Sequence, residues 1–318
     1  MTPERLDMPF VGIPSFLRAP IHTDLATLKA AIAVLGAPTD EGSPFRPGSR
    51  FGARAIREHS LRFVSGKNGY YDPQRGRRFL EREMNGAIVD VGDADILPTN
   101  VPGTFDNISA AVRAVLEAGA MPVVLGGDHA ITYPVVRAFA RPLHVVHLDA
   151  HLDYMPFIHG MFHTNMHAFR HIRKMPHVQS LTQLGIRSLR DGEVMHTDAR
   201  NDGNRVVTME EFRRIGAEGI MSALPKDAAC YVSIDIDILD LSLVPGCVSA
   251  EPDGMSYREL RDFLAAIAEH TEVVGCDLVE LNPLLDVGTG VTAYLATHTI
   301  LEFLGQICDQ PRWRHAHG

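Results

Sequence analysis

The chain has 318 residues, 45% of them apolar and 22% charged, with a formal net charge of -9. These are ordinary values for a globular protein and exclude a disordered chain; no apolar run approaches the roughly 18 residues that a spanning helix needs, which excludes helices crossing a membrane. The acidic balance excludes general affinity for nucleic acid or anionic lipid, because both require a basic footprint.

The opening stretch, MTPERLDMPFVGIPSFLRAP, lacks a basic patch followed by a continuous apolar core. It is therefore not expected to direct export, and a cytoplasmic location is the default expectation. An arm of roughly 25 residues leads into the first predicted strand at 31–38. The segment from 40 to 85, with GSPFRPGSRFG and GKNGYYDPQRGR, is rich in Gly, Pro and Arg and is predicted to be mostly loop. A strand is expected at 86–95, then a helix over 104–119 whose apolar positions recur at helical spacing after a Thr or Asp cap and which stops at Gly119. Further strands are predicted at 121–129, 143–151, 181–188, 205–209, 230–240 and 273–283, with helices over 256–270 and 291–307. Cys230, Cys247, Cys276 and Cys308 lie far apart without a CxxC pair, which fits reduced structural thiols.

Apolar, β-branched strands separated by amphipathic helices predict an α/β fold: a mainly parallel sheet of about eight strands between two helical layers, in a single domain spanning 1–318. Loops at the carboxyl ends of such strands carry function.

Four predicted strands end in residues that an apolar core would not choose. GGDH gives Asp128 and His129; DAHLD gives Asp149, His151 and Asp153; SIDIDILD gives Asp235, Asp237 and Asp240; CDLVELNP gives Asp277 and Glu280. Alternate residues of an extended chain point the same way, so Asp149, His151 and Asp153 are expected to converge, as are Asp235 and Asp237. Several carboxylates in an apolar setting repel one another and bear a heavy desolvation cost unless cations neutralise them. Four Asp and two His suit two divalent ions with shared carboxylates. Oxygen-rich donors with some imidazole favour manganese, other first-row ions such as nickel also fitting, and such a pair can ready a water for attack at neutral pH.

LGGDHAIT, DAHLD, SIDIDILD and DLVELNP resemble the signature blocks of the ureohydrolase superfamily, which holds arginases, agmatinases and guanidino-acid amidinohydrolases. The likeness covers nearly the whole chain, since GAPTDEGSPFRPGSRFGARAIR and VGDAD also resemble family blocks, and it is nearest the bacterial agmatinase branch. It implies a three-layer α/β/α fold, a homotrimer or homohexamer, two Mn2+ per chain, and release of urea from a small guanidino substrate: agmatine, or alternatively a guanidino acid such as 4-guanidinobutanoate or 3-guanidinopropanoate, or free guanidine. Carried over block by block, the resemblance implies that His129, Asp149, Asp153 and Asp235 hold one metal. His151, Asp149, Asp235 and Asp237 would hold the other. Glu280 matches the guanidinium-binding carboxylate and His163 the catalytic loop histidine, while Asp128 reads as a supporting residue.

Two segments depart from the family pattern. His163 is followed by Thr164 and Asn165 instead of Gly and a small polar residue, and PGCVSAEPDG (245–254) carries Cys247, Val248 and Ala250 in place of smaller or stiffer residues. His159, His163, His167 and His171 recur every fourth residue, but Gly160 and the polar Thr164–Asn165 pair argue against a continuous helical metal stripe. For a substrate carboxylate, Arg46, Arg50 or Asn165 are the candidate contacts. A metallophosphoesterase is the rival enzyme reading, disfavoured because the late block is acidic; a silent subunit of a mixed oligomer is the non-enzymatic one, disfavoured because all six expected ligands are present.

Overall fold

The computed structural model describes residues 8–63 and 68–317. In chain order the strands are β1 (Ile32–Ala37), β2 (Tyr70–Asp72), β3 (Arg77–Phe79), β4 (Ile88–Asp93), β5 (Met121–Gly126), β6 (Leu143–Leu148), β7 (Val178–Ile186), β8 (Arg205–Thr208), β9 (Ala229–Asp235) and β10 (Glu272–Val279). The helices are α1 (Gly52–Ser60), α2 (Val101–Glu117), α3 (Thr132–Arg137), α4 (Ala168–Arg173), α5 (Glu193–Asn201), α6 (Met209–Met221), α7 (Tyr257–His270), α8 (Val291–Cys308) and α9 (Pro311–His317). The eight strands expected from the sequence form one eight-stranded sheet in the order β4-β1-β5-β10-β9-β6-β7-β8. Every pairing within it is parallel.

Both faces of the sheet are mostly apolar, which is why its strands read as mainly hydrophobic runs. Val34, Val123, Val146, Val232 and Leu278 face a core completed by Ile56 of α1, Phe263 of α7 and Leu304 of α8. Their strand neighbours Leu35, Val124, Val145 and Tyr231 face the opposite layer, with Val112 of α2, Val135 of α3 and Phe169 of α4. This is the three-layer α/β/α arrangement that the resemblance implies. Among the described residues no helix is long and apolar enough to cross a membrane.

The described residues of the 40–85 segment are more ordered than their composition suggests. They contain α1 and the antiparallel pair β2–β3, and α1 is fixed by a buried charge: Arg57 reaches Asp90 at 2.8 Å and Asp93 at 2.6 Å. Helix α2 begins at Val101, three residues before the expected start, because Asn100 caps the Gly103 amide at 3.1 Å and Pro102 occupies the first turn.

The strand ends also differ from expectation. β6 stops at Leu148 and β9 at Asp235, so Asp149, His151 and Asp153 lie in a turn beyond the strand and Asp237 lies in a 3-10 turn. Turns, and not strand alternation, bring these side chains together. The sheet order supplies the rest: β5, β10, β9 and β6 are its four central strands, so all four polar blocks emerge side by side at one edge.

Candidate metal centre and substrate cavity

The His129 imidazole enters from the 3-10 turn after β5, where the Asp128 side chain caps the Ala130 amide at 3.2 Å. Its Nδ1 lies 2.9 Å from Asp149 Oδ2 and 3.2 Å from both Asp153 Oδ2 and Asp235 Oδ2. The His151 Nδ1 lies 3.2 Å from Asp149 Oδ1 and 3.0 Å from Asp237 Oδ2. Two imidazole nitrogens thus each face a set of carboxylate oxygens, and Asp149 turns one oxygen to each set. Asp235 joins the second set through its proximity to Asp237 and Cys247.

This donor set fits a pair of divalent ions. His129 Nδ1 is buried and has no hydrogen-bond partner despite three carboxylate oxygens nearby, the geometry of a nitrogen aimed at a shared cation. The charges point the same way. Burial and the neighbouring Asp149 push Asp153 up to about 7, and burial with the Asp237 and Asp149 charges pushes Asp235 well above the usual carboxylate range. Burial opposes charge on His151, yet Asp237 and Asp149 prevail and push it up to about 12. Without a cation, these side chains must share protons to coexist.

Behind His129, its Nε2 meets Ser233 Oγ at 2.9 Å, and Ser233 donates to Asp277 Oδ1 at 2.7 Å. Asp277 also accepts from Thr132 and Tyr231, so this strand-end carboxylate supports a ligand and does not join the cluster. Asp240 is engaged in a surface turn with Ser242. Asp128 accepts from the Gly42 amide at 3.1 Å, tying the 42–45 loop to the centre.

Glu280 follows β10 with a positive φ of 63°, and Asp153 has φ 46°. Non-glycine residues in this region carry strain that recurs at functional sites. Glu280 Oε1 accepts from the His129 amide at 3.0 Å and from Asn165 Nδ2 at 3.2 Å. Burial pushes its carboxyl up to about 7. A cavity of about 300 Å3 opens over these groups. Asp153, Asp235, His151 and Glu280 form its floor, and Pro44, Phe45, Met155, Met166, Met195 and Val248 its apolar walls.

His163 does not line this cavity. Its ring stacks 5.4 Å from His171 and meets Phe105 edge-on at 5.4 Å; burial lowers its pKa, and its Nδ1 is buried without a partner. Asn165, two residues on, takes the place beside Glu280. The His159, His163, His167 and His171 repeat makes no metal-holding group among the described residues. The tail contacts expected from sequence also shift: Arg50 is tied to Asp40, and Arg46 is not among the lining residues. Arg190 is the one lysine or arginine among the described residues lining the cavity. Its Nε meets Glu251 Oε1 at 2.9 Å, and its Nη2 meets Ser249 O and His151 Nε2, each at 2.6 Å. His147, not singled out from the sequence, stands beside the ligands, and so does Cys247, expected there only as a structural thiol and a departure from the family pattern. The alternation in LHVVHLDAH, which puts His147 two residues before Asp149, was the available signal for His147. None marked Arg190.

Comparison with known proteins gives the same frame. Residues 30–305 match the model of the arginase family. The chain is 34% identical to proclavaminate amidinohydrolase of Streptomyces clavuligerus over 93% of its length and 94% of the relative's. The solved structure of that hydrolase aligns with a TM-score of 0.83 over 94% of this chain and 98% of the other, at 32% identity. Guanidinopropionase of Pseudomonas aeruginosa is 33% identical, covering 93% and 92% of the two chains; mitochondrial agmatinase of Gallus gallus is 31% identical, covering 92% and 85%. A sheet of eight parallel strands, its central ends crowded with Asp and His, and a match running through nearly the whole sequence lead to one conclusion: this chain belongs to the arginase family.

Proposed function

We propose that the chain is an amidinohydrolase that holds two divalent metal ions and releases urea from a small guanidino compound. The observation that carries this reading is the pair of imidazole Nδ1 atoms facing carboxylates on either side of Asp149, one of them orphaned. His129, Asp149, Asp153 and Asp235 would hold one ion, and His151, Asp149, Asp235 and Asp237 the other. Manganese is the proposed occupant and nickel the second choice, given the oxygen-rich donors. When bound, such a pair supplies charge neutralisation and a water activated near neutral pH.

The protein's own groups do the rest. Glu280 is held by its Oε1, leaving Oε2 for paired N–H bonds from the guanidinium, a charge-assisted and directional contact. That orientation places the guanidine carbon over the metal floor. The apolar walls exclude water and take up the methylene chain. His163 is the proposed proton donor to the departing amine, on the condition that the 155–164 loop brings it to the cavity, since its ring rests elsewhere in this structure.

We favour a guanidino acid as the substrate. Arg190 stands on its lining with Nε and Nη2 anchored, which leaves Nη1 to receive a carboxylate. Guanidinopropionase is among the relatives. Agmatine is the second reading, favoured by Asp191 on the same wall and by the related agmatinase. A urea-release assay with manganese over 3-guanidinopropanoate, 4-guanidinobutanoate, agmatine, arginine and guanidine tests both. Turnover of a guanidino acid with at least about 10-fold higher kcat/KM than agmatine supports the first reading, and the reverse order replaces it with the second. Metal uptake with no urea from any of them would instead indicate a silent subunit.

A further inference from the structure

One layer below the metal floor, a row of polar side chains crosses the sheet. In the parallel register His147 of β6 lies beside Gln183 of β7 and Ser233 of β9, and Ser233 lies beside Asp277 of β10. Residues in register on neighbouring parallel strands point to the same face. All four are buried, where apolar side chains would avoid the desolvation cost of polar ones. Such a row demands a partner for every polar atom.

The row divides into two arms. Ser233 and Asp277 end on His129, as described above. The other arm starts at Asn204, whose Nδ2 donates to Gln183 Oε1 at 2.9 Å. Gln183 Nε2 donates to the Leu152 carbonyl at 2.6 Å and faces His147 Nδ1 at 3.1 Å. Because a carbonyl oxygen only accepts, the Leu152 contact fixes which end of the Gln183 amide is the donor. His147 Nδ1 is therefore an acceptor, and the ring proton sits on Nε2, which lies 2.7 Å from Asp149 Oδ2. Phe169 stacks on the ring with centroids 3.5 Å apart and planes 18° apart, so the imidazole cannot turn away.

His147 stands close enough to the cluster to be taken for a ligand. The hydrogen-bond accounting argues otherwise: Nδ1 points to Gln183, and Nε2 spends its proton on Asp149. We infer that Asn204, Gln183 and His147 form a positioning relay that fixes the orientation of Asp149, the carboxylate shared by both proposed ions. The inference rests on the two-metal reading above. Its consequence is an asymmetry between the arms. Loosening the His147 arm weakens both ions, whereas loosening the Ser233 arm weakens only the ion on His129.

Titration of the full-length, chelator-stripped protein with Mn2+ tests this, following both binding steps by calorimetry and folding by circular dichroism. Gln183→Met and His147→Leu are expected to weaken both steps by about 10- to 100-fold, the usual cost of losing an outer partner of a metal ligand. His147→Gln, which keeps an N–H donor where Nε2 stood, is expected to bind close to the parent, and Ser233→Ala to weaken a single step. If His147→Leu does not fold, Gln183→Met carries the test. Parent-like affinity in Gln183→Met, or loss in His147→Gln as large as in a folded His147→Leu, overturns the relay. Asp149→Ala is the control for the underlying reading: retention of both ions there removes the two-metal proposal itself, whereas loss there with no effect of Gln183→Met removes the relay alone.

Discussion

The floor of the cavity and its walls are built by different means, and they diverge from expectation to different degrees. The floor is made of side chains within a few residues of four adjacent strands, most of them buried; Asp149, for example, contacts His129, His147, His151 and the His151 amide. The walls come from the 42–45, 155–166, 190–195 and 248–251 segments, where Phe45, Ile158 and Phe162 are exposed; the second and the last of these hold the two departures from the family pattern. In the proposed reading, reaction class belongs to the floor and substrate choice to the walls, so substitutions in the two regions should fail in different ways.

The largest effects are expected in the floor. Asp149→Ala or Asp235→Ala should abolish manganese binding and lower urea release by at least roughly a thousandfold, because each removes a donor shared by both ions. Metal analysis after manganese incubation checks the first part; full occupancy with full activity in either variant would break the distinction between floor and wall. Glu280→Gln should keep the metals and lose about 100- to 1,000-fold in kcat/KM, since the charged oxygen left to accept from the guanidinium becomes part of a neutral amide.

Wall substitutions should be milder and specific to substrate. Arg190→Ala is expected to cost about 10- to 100-fold in kcat/KM on a guanidino acid, appearing in KM, while leaving agmatine turnover unchanged or improved. Equal losses on both substrates would place Arg190 with the floor, acting through His151. Asn165→Ala removes one of two donors to Glu280 Oε1 and should cost about 10-fold or less.

A smaller effect concerns stability. Burial and Asp149 push Asp153 up to about 7, burial pushes Glu280 up to about 7, and burial pushes Asp191 up to about 6. For carboxyls raised on folding, the native state holds more protons than the unfolded chain between the ordinary carboxylate range and the raised value, so stability falls as pH rises through that window. The metal-free protein should therefore melt at lower temperature at pH 7 than at pH 5. Manganese should remove most of that difference, because the ions take the place of the protons. Thermal denaturation at both pH values, with and without chelator, checks the sign.

The same division explains how much was legible in the sequence. All eight sheet strands could be read because burial leaves mainly apolar runs, and the six proposed ligands were singled out because acidic and imidazole groups interrupt those runs at their ends. Convergence was read correctly for the wrong local reason, since Asp149 to Asp153 form a turn past β6 and not an alternating strand. His147, Gln183 and Asn204 were not singled out because their partnership depends on cross-strand register, which no local pattern encodes. Arg190 and the resting place of His163 depend on loop paths around Gly160 and Ser249, where neither period nor cap constrains the chain.

The central claim is that two ions sit on either side of Asp149. Diffraction from crystals of the manganese-loaded protein, recorded at the manganese absorption edge, tests it most directly. Two anomalous peaks per chain are expected, one beside His129 Nδ1 and one beside His151 Nδ1, with Asp149 touching both. A single peak, or peaks away from these residues, would contradict the account.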